Sequence, residues 1–309
     1  MRRPFLKTLL AFLIVLTVVP AVQAEKRIGV IMTGDIPYYR TIHEAFVTEL
    51  NMKAAGVEET EIILQRPFPN AISWANAARK LIAFDVDLII TYGSSATLAV
   101  IDEKSRIPLV YAGLYEPNNK GEGYKNATGC GFRVPLSSIL RYLKRLKTVD
   151  TLGIVYSSIE EDSVRQYQTI KNLAEQQNIQ VQKINIRSQA DVGNFASTKA
   201  DAIFLTGSAL VHLWLDDIMD ILDSKMIPAA DIFPDDSESG VLVTLYQPAN
   251  QQGTMAAQMA WRILRNEKPD DIDEQVLRDT ELVLNLVEAK RIGLDFPIQL
   301  LIEATKVIE

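Results

Sequence analysis

Residues Gly93, Ser94 and Ser95 lie where an apolar segment, residues 88–90, gives way to a run of small residues. This order is typical of a buried parallel strand that ends in a tight turn before a helix. The first amides of a helix have no intrahelical partner and lie at the positive end of its dipole. Hydroxyls placed there can cap the helix, or they can help to bind a carboxylate or a phosphate. Taken alone, the turn is compatible with either role.

A second turn of the same kind occurs at Gly207 and Ser208, inside a longer correspondence between two halves of the chain. The matching segments are RIGVIM (27–32) with TLGIVY (151–156), DLIITYGS (87–94) with DAIFLTGS (201–208), and RIPLVYA (106–112) with MIPAADI (226–232). The copies are about 120 residues apart, which is the size of a small domain and not of a solenoid repeat. Recurrence at matching places weakens the interpretation that each turn only caps its helix.

Short apolar segments and amphipathic segments alternate around these turns. The predicted strands are 27–32, 61–65, 87–92 and 108–112 in the first half, and 152–156, 181–186, 201–205 and 241–245 in the second. The predicted helices are 38–55, 71–83, 95–103, 162–177, 209–224 and 251–266. Strands that alternate with helices indicate βαβ units and a parallel sheet. The sequence therefore predicts an α/β fold with two similar, doubly wound parallel-sheet lobes joined by a hinge.

In open α/β sheets, ligands bind beyond the carboxyl ends of the strands, where the turns between strands and helices gather. Two such lobes can face those ends across one cleft. The turns at Gly93–Ser95 and Gly207–Ser208 would then lie on opposite walls of the cleft.

The first 24 residues resemble a secretory signal peptide. A positively charged start precedes an apolar run over residues 9–19, and small residues at Val22 and Ala24 suit cleavage after Ala24. The apolar run is too short to span a bilayer comfortably. We predict a cleaved signal peptide and a periplasmic protein, with a retained membrane anchor as the alternative. Cys130 is the only cysteine, so the chain has no internal disulfide and no lipid-attachment cysteine beside the cleavage site.

The composition argues against two classes of function. The 309 residues carry 32 basic and 39 acidic side chains, a formal charge of −7, and the body of the chain has no basic run. Nucleic-acid binding is therefore not expected. His43 and His212 fall in different lobes without a second ligand nearby, so no metal site is expected. No motif for a dinucleotide cofactor or a hydrolase nucleophile is present.

Several longer passages resemble a known family. They are IPLVYAGLYEP (107–117), NATG (126–129), LGIVYSS (152–158), AAQMAWRILRNEKP (256–269) and ELVLNLVEAKRIGLDFP (281–297). Their order and spacing resemble the substrate-binding proteins of ABC transporters, in the group that includes tryptophan- and tyrosine-binding members. The likeness covers residues 26–309. The family pattern has Asp-Pro where this chain has Glu116-Pro117.

The resemblance implies a type I periplasmic-binding-protein fold, with a ligand clamped between the lobes and a closed form that docks on an inner-membrane permease. After the predicted signal peptide at 1–24, we expect an N-terminal lobe at 25–146 and a C-terminal lobe at 147–246. Residues 247–309 would pack partly back on the N-terminal lobe.

Candidate ligand contacts in the first lobe follow from the chemistry of a free amino acid. Its carboxylate needs N–H donors and hydroxyls, which Gly93, Ser94 and Ser95 can supply. Its ammonium needs a carboxylate, which Glu116 can supply, although a solvated loop acid is the alternative. Gly34 and Tyr38 follow the first strand and can also reach the cleft.

The second lobe offers its own set of candidates at the ends of its strands. They are Ser157, Ser158, Gly207, Ser208, Asp231 and Tyr246. Asp231 has an alternative role as a cap for the segment that follows it, and Tyr38 as part of a helix that packs on its own lobe.

These observations favour a binding protein without catalytic residues or cofactor, whose ligand is a small solute, by preference an amino acid, with aromatic amino acids among the candidates. An exported sensor that signals through a receptor is compatible with the same fold. An exported α/β enzyme is the third hypothesis, and it lacks a nucleophile, base or metal constellation.

Overall fold

The computed structural model describes residues 25–57, 59–117, 124–234 and 240–309. The predicted signal peptide at residues 1–24 lies outside the described residues. Within those ranges, no helix is long and apolar enough to cross a membrane.

Five strands and three helices alternate in the first half of the described chain. They are β1 (Lys26–Met32), α1 (Pro37–Ala54), β2 (Thr60–Gln65), α2 (Ala71–Ala83), β3 (Leu88–Tyr92), α3 (Ser94–Asp102), β4 (Leu109–Tyr115) and β5 (Ala127–Phe132). The second half repeats the alternation with α4 (Leu136–Leu146), β6 (Thr151–Tyr156), α5 (Glu161–Glu175), β7 (Gln180–Asn185), α6 (Gln189–Val192), β8 (Ala202–Leu205), α7 (Ala209–Leu213), α8 (Leu215–Ser224), β9 (Ala229–Asp231) and β10 (Val243–Tyr246). The last elements are α9 (Ala249–Leu264), β11 (Gln275–Leu277), β12 (Glu281–Asn285), α10 (Leu286–Arg291), α11 (Ile298–Glu303) and β13 (Lys306–Ile308).

The strands form two sheets, one in each lobe. The N-terminal lobe has the order β11-β5-β4-β3-β1-β2, and the C-terminal lobe has the order β13-β12-β10-β9-β8-β6-β7. The first five strands of the two halves thus occupy equivalent places, and β10–β12 is an antiparallel pair in sheets whose other described pairs are parallel. The fold class and the internal correspondence that the sequence predicts are confirmed.

Local sequence explains the elements that position the cleft. Strand β3 is buried along its whole length, as expected for a central parallel strand covered on both faces. Helix α1 has Pro37 in its first turn, where the missing N–H costs nothing. Helix α2 is capped by Asn70, whose Oδ1 accepts a hydrogen bond from Ser73 N at 2.8 Å.

The chain crosses between the lobes at residues 133–135, 247–248 and 278–280. Helix α4 packs against α5, β9 and β10, so the first crossing lies before α4, whereas the sequence places the lobe boundary at 146. The apolar face of α4, with Ile139, Leu140 and Leu143, covers the C-terminal sheet. Helix α9 then packs on α1 and β4 of the N-terminal lobe, and β12 and β13 rejoin the C-terminal sheet.

Two parts of the secondary structure differ from the sequence-based expectation. The single helix predicted at 209–224 is interrupted at Trp214, and α8 begins with Asp216 and Asp217 facing its positive end. Helices α4, α6, α10 and α11 are not among the predicted helices, and strands β5, β9, β11, β12 and β13 are not among the predicted strands. The last three have three to five residues, too few for a clear hydrophobic pattern.

Candidate functional site

The turn before α3 has a backbone that only glycine adopts readily. Gly93 has φ +87° and ψ +156°, a region that is almost exclusive to glycine. A Cβ at this position would lie 2.6 Å from Thr33 Oγ1 and would also overlap the Tyr39 hydroxyl. The loop after β1 and the first turn of α1 therefore pack directly under the start of α3.

The first turn of α3 has a buried hydroxyl, that of Ser94, without a partner in the part of the chain that the structure describes. Ala96 N donates to Thr33 Oγ1 at 3.3 Å, and the Thr97 hydroxyl donates to Gly93 O at 2.9 Å. Ser94 is only 6% exposed, and its Oγ has no hydrogen-bond partner among the described residues. Ser95 is also buried. A buried hydroxyl at a helix start, without a partner, can donate to a ligand anion.

The equivalent turn in the C-terminal lobe is filled by side chains from α5 and the residue before it. Gly207 N donates to Gln166 Oε1 at 2.7 Å, and the hydroxyls of Thr206 and Ser163 are 2.7 Å apart. Ser208 is fully buried and donates to the Glu160 carboxylate at 2.5 Å. The amide of Gly207 and the hydroxyls of Thr206 and Ser208 thus have partners within the protein, whereas the Nε2 of Gln166 is buried without a partner among the described residues.

Glu160 is the main partner of this second turn. Its carboxylate accepts hydrogen bonds from Ala209 N at 2.8 Å and Leu210 N at 2.9 Å, in addition to the Ser208 hydroxyl. Ser208 Oγ in turn accepts from Val211 N and caps α7. Burial raises the pKa of the Glu160 carboxyl above its ordinary value, while these three donors act in the opposite direction.

Aromatic rings join the two lobes at the back of the cleft. Phe233 of the C-terminal lobe stacks on Tyr38 of α1, with ring centroids 3.8 Å apart and planes at 12°. A Cβ at Gly207 would lie 2.7 Å from the Phe233 ring, so glycine is required for this packing. Gly34 allows a second close approach, because a Cβ there would lie 2.9 Å from the Ala209 Cβ.

A polar bridge joins the lobes near the end of β4. Tyr115 N donates to Asp162 Oδ2 at 3.1 Å, and the Arg165 guanidinium donates to Tyr115 O at 2.8 Å. Arg165 also pairs with Asp162 and reaches Glu116 O at 3.5 Å. The start of α5 is therefore tied to the backbone of the opposite lobe.

Several predicted site residues have partners outside the two turns. The Glu116 carboxylate pairs with Arg133 at 2.8 Å. Asp231 accepts from Ile232 N and Phe233 N and lies 2.8 Å from His212 Nε2, an arrangement that matches its capping alternative. Ser158 bonds to Asn185, and the Tyr246 hydroxyl donates to Glu281 at 2.5 Å.

The remaining candidates lie in buried positions. Ser157 is fully buried, its N donates to Ser163 Oγ at 2.9 Å, and its own Oγ has no partner among the described residues. The Tyr38 hydroxyl accepts from Gln252 Nε2 at 2.7 Å, and burial raises the pKa of Tyr38 well above its ordinary value. The structure thus groups Gly34, Tyr38, Gly207 and Ser208 at the lobe interface, with Gly93 linked to them through Tyr39.

Sequence reasoning did not identify Glu160, Asp162, Arg165 or Phe233. The sequence offers only an acidic run, residues 160–162, after a strand, and acidic residues are common in the first turn of any helix. Their roles depend on contacts between segments that are far apart in the chain.

The described residues contain no group of three His, Cys, Asp or Glu side chains that could hold a metal ion. Cys130 is buried, its Sγ contacts Gln252 O at 3.3 Å, and burial raises the pKa of its thiol to about 12. A thiol with this pKa is a poor nucleophile at neutral pH.

Comparison with protein families gives a match over most of the chain. The model of the ABC transporter substrate binding protein family matches residues 45–308. A tyrosine-binding protein of Clostridioides difficile (strain R20291) is 20% identical over 274 residues, which cover 85% of this chain and 79% of that protein.

Solved structures with the same fold cover nearly the whole described chain. An ABC domain from Streptococcus pneumonia in complex with L-Trp superposes with a TM-score of 0.85 and 22% identity, over 92% of this chain and 100% of that one. A conserved domain protein from Vibrio cholerae gives a TM-score of 0.85 and 21% identity, with the same two coverages. The arrangement of lobes is that of type I periplasmic binding proteins.

Proposed function

The chain belongs to the ABC transporter substrate binding protein family, and from this we propose that it is the extracytoplasmic solute-binding component of an ABC importer. Its ligand is a small solute held between the two lobes, an amino acid, with the aromatic amino acids as the first candidates. Relatives that are a tyrosine-binding protein and a domain in complex with L-Trp support this choice of ligand.

One observation carries the proposal: the Ser94 hydroxyl is buried without a partner at the start of α3. A ligand carboxylate placed there would accept from this hydroxyl and from the amides of Ser94 and Ser95, which have no partner within the helix, and the helix dipole would stabilise its charge. Ser95 and Gly93 shape the same anion site.

Hinge closure is the proposed mechanism. The Tyr38–Phe233 stack and the bonds of Asp162 and Arg165 to Tyr115 exist only when the lobes are together. A ligand that contacts both lobes shifts the population toward this closed form, and a permease can then distinguish loaded from empty protein.

The proposed location is the periplasm, after removal of residues 1–24. N-terminal sequencing of the exported protein would begin at Glu25 under this proposal. A start at Met1 in the membrane fraction would instead support the retained anchor.

The first experiment is a ligand screen by thermal unfolding. The chain from Glu25 onward is unfolded and refolded to remove any co-purified solute, then melted with each of the twenty amino acids. A ligand at a hundred times its dissociation constant adds about 2.7 kcal/mol, or about 5–10 °C for a protein of this size. At the same ligand concentration, Ser94→Ala should reduce the shift by about half or more, while Ser224→Ala, on the exposed end of α8, should leave it unchanged.

Hinge closure is tested separately, by measuring the size of the protein with and without ligand. The radius of gyration from X-ray scattering should decrease when the refolded protein binds the ligand that the screen identifies. Asp162→Asn should weaken the decrease, whereas Asp201→Asn should not, because Asp201 accepts from Asp150 N and Thr151 N at the opposite end of the sheet. An unchanged radius on binding would contradict hinge closure.

A further inference from the structure

Both ring nitrogens of His212 face hydrogen-bond acceptors. Nδ1 lies 2.8 Å from the backbone oxygen of Ser208, and Nε2 lies 2.8 Å from Oδ2 of Asp231. A carbonyl oxygen can only accept, so Nδ1 must carry a proton. The proton between Nε2 and Asp231 also belongs to the ring, because imidazole is ordinarily a stronger base than an aspartate carboxylate by roughly two to three pH units. This geometry makes His212 an imidazolium.

Asp231 connects the imidazolium to a segment that contacts the opposite lobe. Its Oδ1 accepts from the first two amides of residues 232–234, the Phe233 loop, while its Oδ2 faces the ring. Phe233 packs against the His212 ring, with centroids 5.2 Å apart, and it also stacks on Tyr38 of the N-terminal lobe. The Phe233 loop is thus positioned by a carboxylate whose second oxygen is bound by His212.

The pair of His212 and Asp231 is buried, and other ionisable groups surround it. The two side chains are 3% and 0% exposed. Glu160 lies close enough that His212 lowers the pKa of its carboxyl, so these two groups attract each other. A cavity of about 240 Å³ lies beside the ring, between the lobes, and its ionisable lining groups among the described residues are Asp35, Tyr38, Arg40 and Asp216.

The groups that line the cavity do not oppose the charge of the ring. Asp35 and Arg40 pair at 2.7 Å, so their charges act on the ring in opposite directions. Burial raises the pKa of Tyr38 well above its ordinary value, so this hydroxyl stays neutral. Asp216 adds a further anion. The described surroundings of His212 are therefore mainly anionic, which favours the imidazolium.

A neutral His212 ring cannot satisfy both of its acceptors. With the proton on Nδ1, the lone pair of Nε2 would face the Asp231 carboxylate. With the proton on Nε2, the lone pair of Nδ1 would face the oxygen of Ser208. Either arrangement loses one hydrogen bond and brings two acceptors together in a buried site, where an unsatisfied polar group is costly. Loss of the proton would therefore release Asp231 and the Phe233 loop from their present positions.

We infer that His212 is a positioning residue whose second proton holds the Phe233 loop against Tyr38 and thereby favours the closed form. When the lobes separate, Tyr38 leaves Phe233 and water screens the pair of His212 and Asp231, so the proton is bound less tightly in the open form. Closure then takes up protons, and it weakens as the pH rises through the range in which His212 is deprotonated. A fall in solute affinity over the same range is a consequence that rests on the proposed function.

Nitrogen NMR of the imidazole rings tests the protonation of His212. The chain has two histidines, so the untagged, nitrogen-15-labelled protein gives two ring spin systems, which His43→Gln assigns. At about pH 7.5, where free imidazole is mostly neutral, both ring nitrogens of His212 should be protonated. His43 is the internal control, because burial lowers its pKa and its ring should be neutral. In Asp231→Asn, His212 should be neutral with its proton on Nδ1, since the new amide can donate to Nε2.

Amide exchange in the same sample tests the position of the Phe233 loop without a ligand. After correction for intrinsic exchange, the protection of the Ile232 and Phe233 amides should fall about three- to tenfold when the pH passes the His212 transition. The Thr151 amide is the matched control, because it donates at 2.8 Å to the carboxylate of Asp201. No described bond of Asp201 involves a histidine, so the protection of Thr151 should not follow the transition.

Calorimetric titration tests the coupling to closure. The refolded protein is titrated with L-tryptophan and L-tyrosine in two buffers of different ionisation enthalpy, which counts the protons taken up on binding. Above the pH at which the free protein loses the His212 proton, the wild type should take up as much as one proton. Its affinity relative to His212→Gln should fall by up to about tenfold per pH unit. The ratio cancels the titration of the ligand ammonium, which occurs with both proteins.

The outcomes separate this inference from the proposed function. A neutral His212 ring in the wild type at about pH 7.5, or an affinity ratio that does not change with pH, would overturn the inference and leave the proposed function in place. Binding of no amino acid at all would overturn the proposed function, and the ring shifts and loop amides of the free protein would still decide the role of His212. If the variants fail to fold, the same wild-type signals decide, with Thr151 as reference.

Discussion

The turns at the starts of α3 and α7 follow equivalent strands of the two sheets, yet their polar groups have different partners. Around Gly207 and Ser208, side chains of Gln166, Ser163 and Glu160 satisfy the amides and hydroxyls. Around Gly93, the hydroxyl of Ser94 is buried and has no partner among the described residues. Turns after equivalent strands thus differ: in one the serine is the N-cap of its helix and binds a carboxylate, and in the other the N-cap is a glycine and the serine hydroxyl has no partner among the described residues.

The difference assigns separate tasks to two similar turns. A turn whose donors are occupied contributes to stability and presents the charge of its partner, here Glu160. A turn with an unused donor contributes little to stability and can gain a partner when a ligand enters. Sequence similarity between the halves therefore does not imply that both turns bind the ligand.

The largest expected effect on the free energy of unfolding comes from substitution of the two turn glycines. Gly93→Ala combines a backbone that is strained for alanine with overlap at Thr33 and Tyr39, and should lower the free energy of unfolding by about 2–6 kcal/mol. Gly207→Ala should cost about 1–3 kcal/mol, because only the contact with Phe233 is too close. Urea unfolding followed by circular dichroism measures both.

Second substitutions distinguish backbone strain from steric overlap as the cause of the lost stability. Phe233→Leu should recover most of the stability lost in Gly207→Ala, because the smaller side chain leaves room for the Cβ. Tyr39→Phe should not restore the stability lost in Gly93→Ala, because the backbone strain remains. Full recovery of Gly93→Ala by Tyr39→Phe would show that sterics alone distinguish the turns.

The sequence predicts the framework of this comparison better than its chemistry. The periodic strands and the repeated glycine-serine turns are local signals, so the sheets and the positions of both turns follow from them. Glu160 is 48 residues from Ser208 in sequence, and no local pattern indicates that the two side chains meet. Phe233 likewise contacts Tyr38 only because the lobes are together.

Substitution of the two turn serines should affect different quantities: Ser208→Ala the stability, and Ser94→Ala the affinity for the ligand. Ser208→Ala removes a donor to Glu160 and the cap of α7, and should cost about 1–3 kcal/mol of unfolding free energy. Ser94→Ala removes a group without a partner, and should change stability by less than about 0.5 kcal/mol. The same change should weaken amino acid binding roughly 10- to 150-fold, since a hydrogen bond to a charged group is lost.

Urea unfolding and calorimetric titration of the same two variants give both quantities. Ser224→Ala, with an exposed hydroxyl that bonds to Ile221 O, is the matched control for both measurements. Equal losses of stability in the Ser94 and Ser208 variants would mean that both turns are internally satisfied, and the comparison would fail.

The smallest expected effect is a pH dependence of the free energy of unfolding, which arises from Glu160 in the turn before α7. Burial raises the pKa of Glu160 above its ordinary value of 4.5, so the folded protein binds this proton more tightly than the unfolded chain does. The stability that comes from this proton is fully present below pH 4.5 and is lost as the pH rises through the higher folded pKa. His212 lowers the pKa of Glu160 and so acts against the effect of burial, and Glu160 in turn acts electrostatically on Tyr39.

The contribution of Glu160 is isolated by subtracting the unfolding free energy of Glu160→Gln from that of the wild type at each pH. The difference should fall as the pH rises above 4.5 and then become constant. For Glu267→Gln the difference should instead rise with pH below 4.5 and be constant above it, because the hydrogen bond from Arg262 lowers the pKa of the Glu267 carboxyl. A flat difference for Glu160→Gln would mean that water reaches this carboxylate. In that case the C-terminal turn would not be sealed by the protein itself, and a second ligand anion could compete for it.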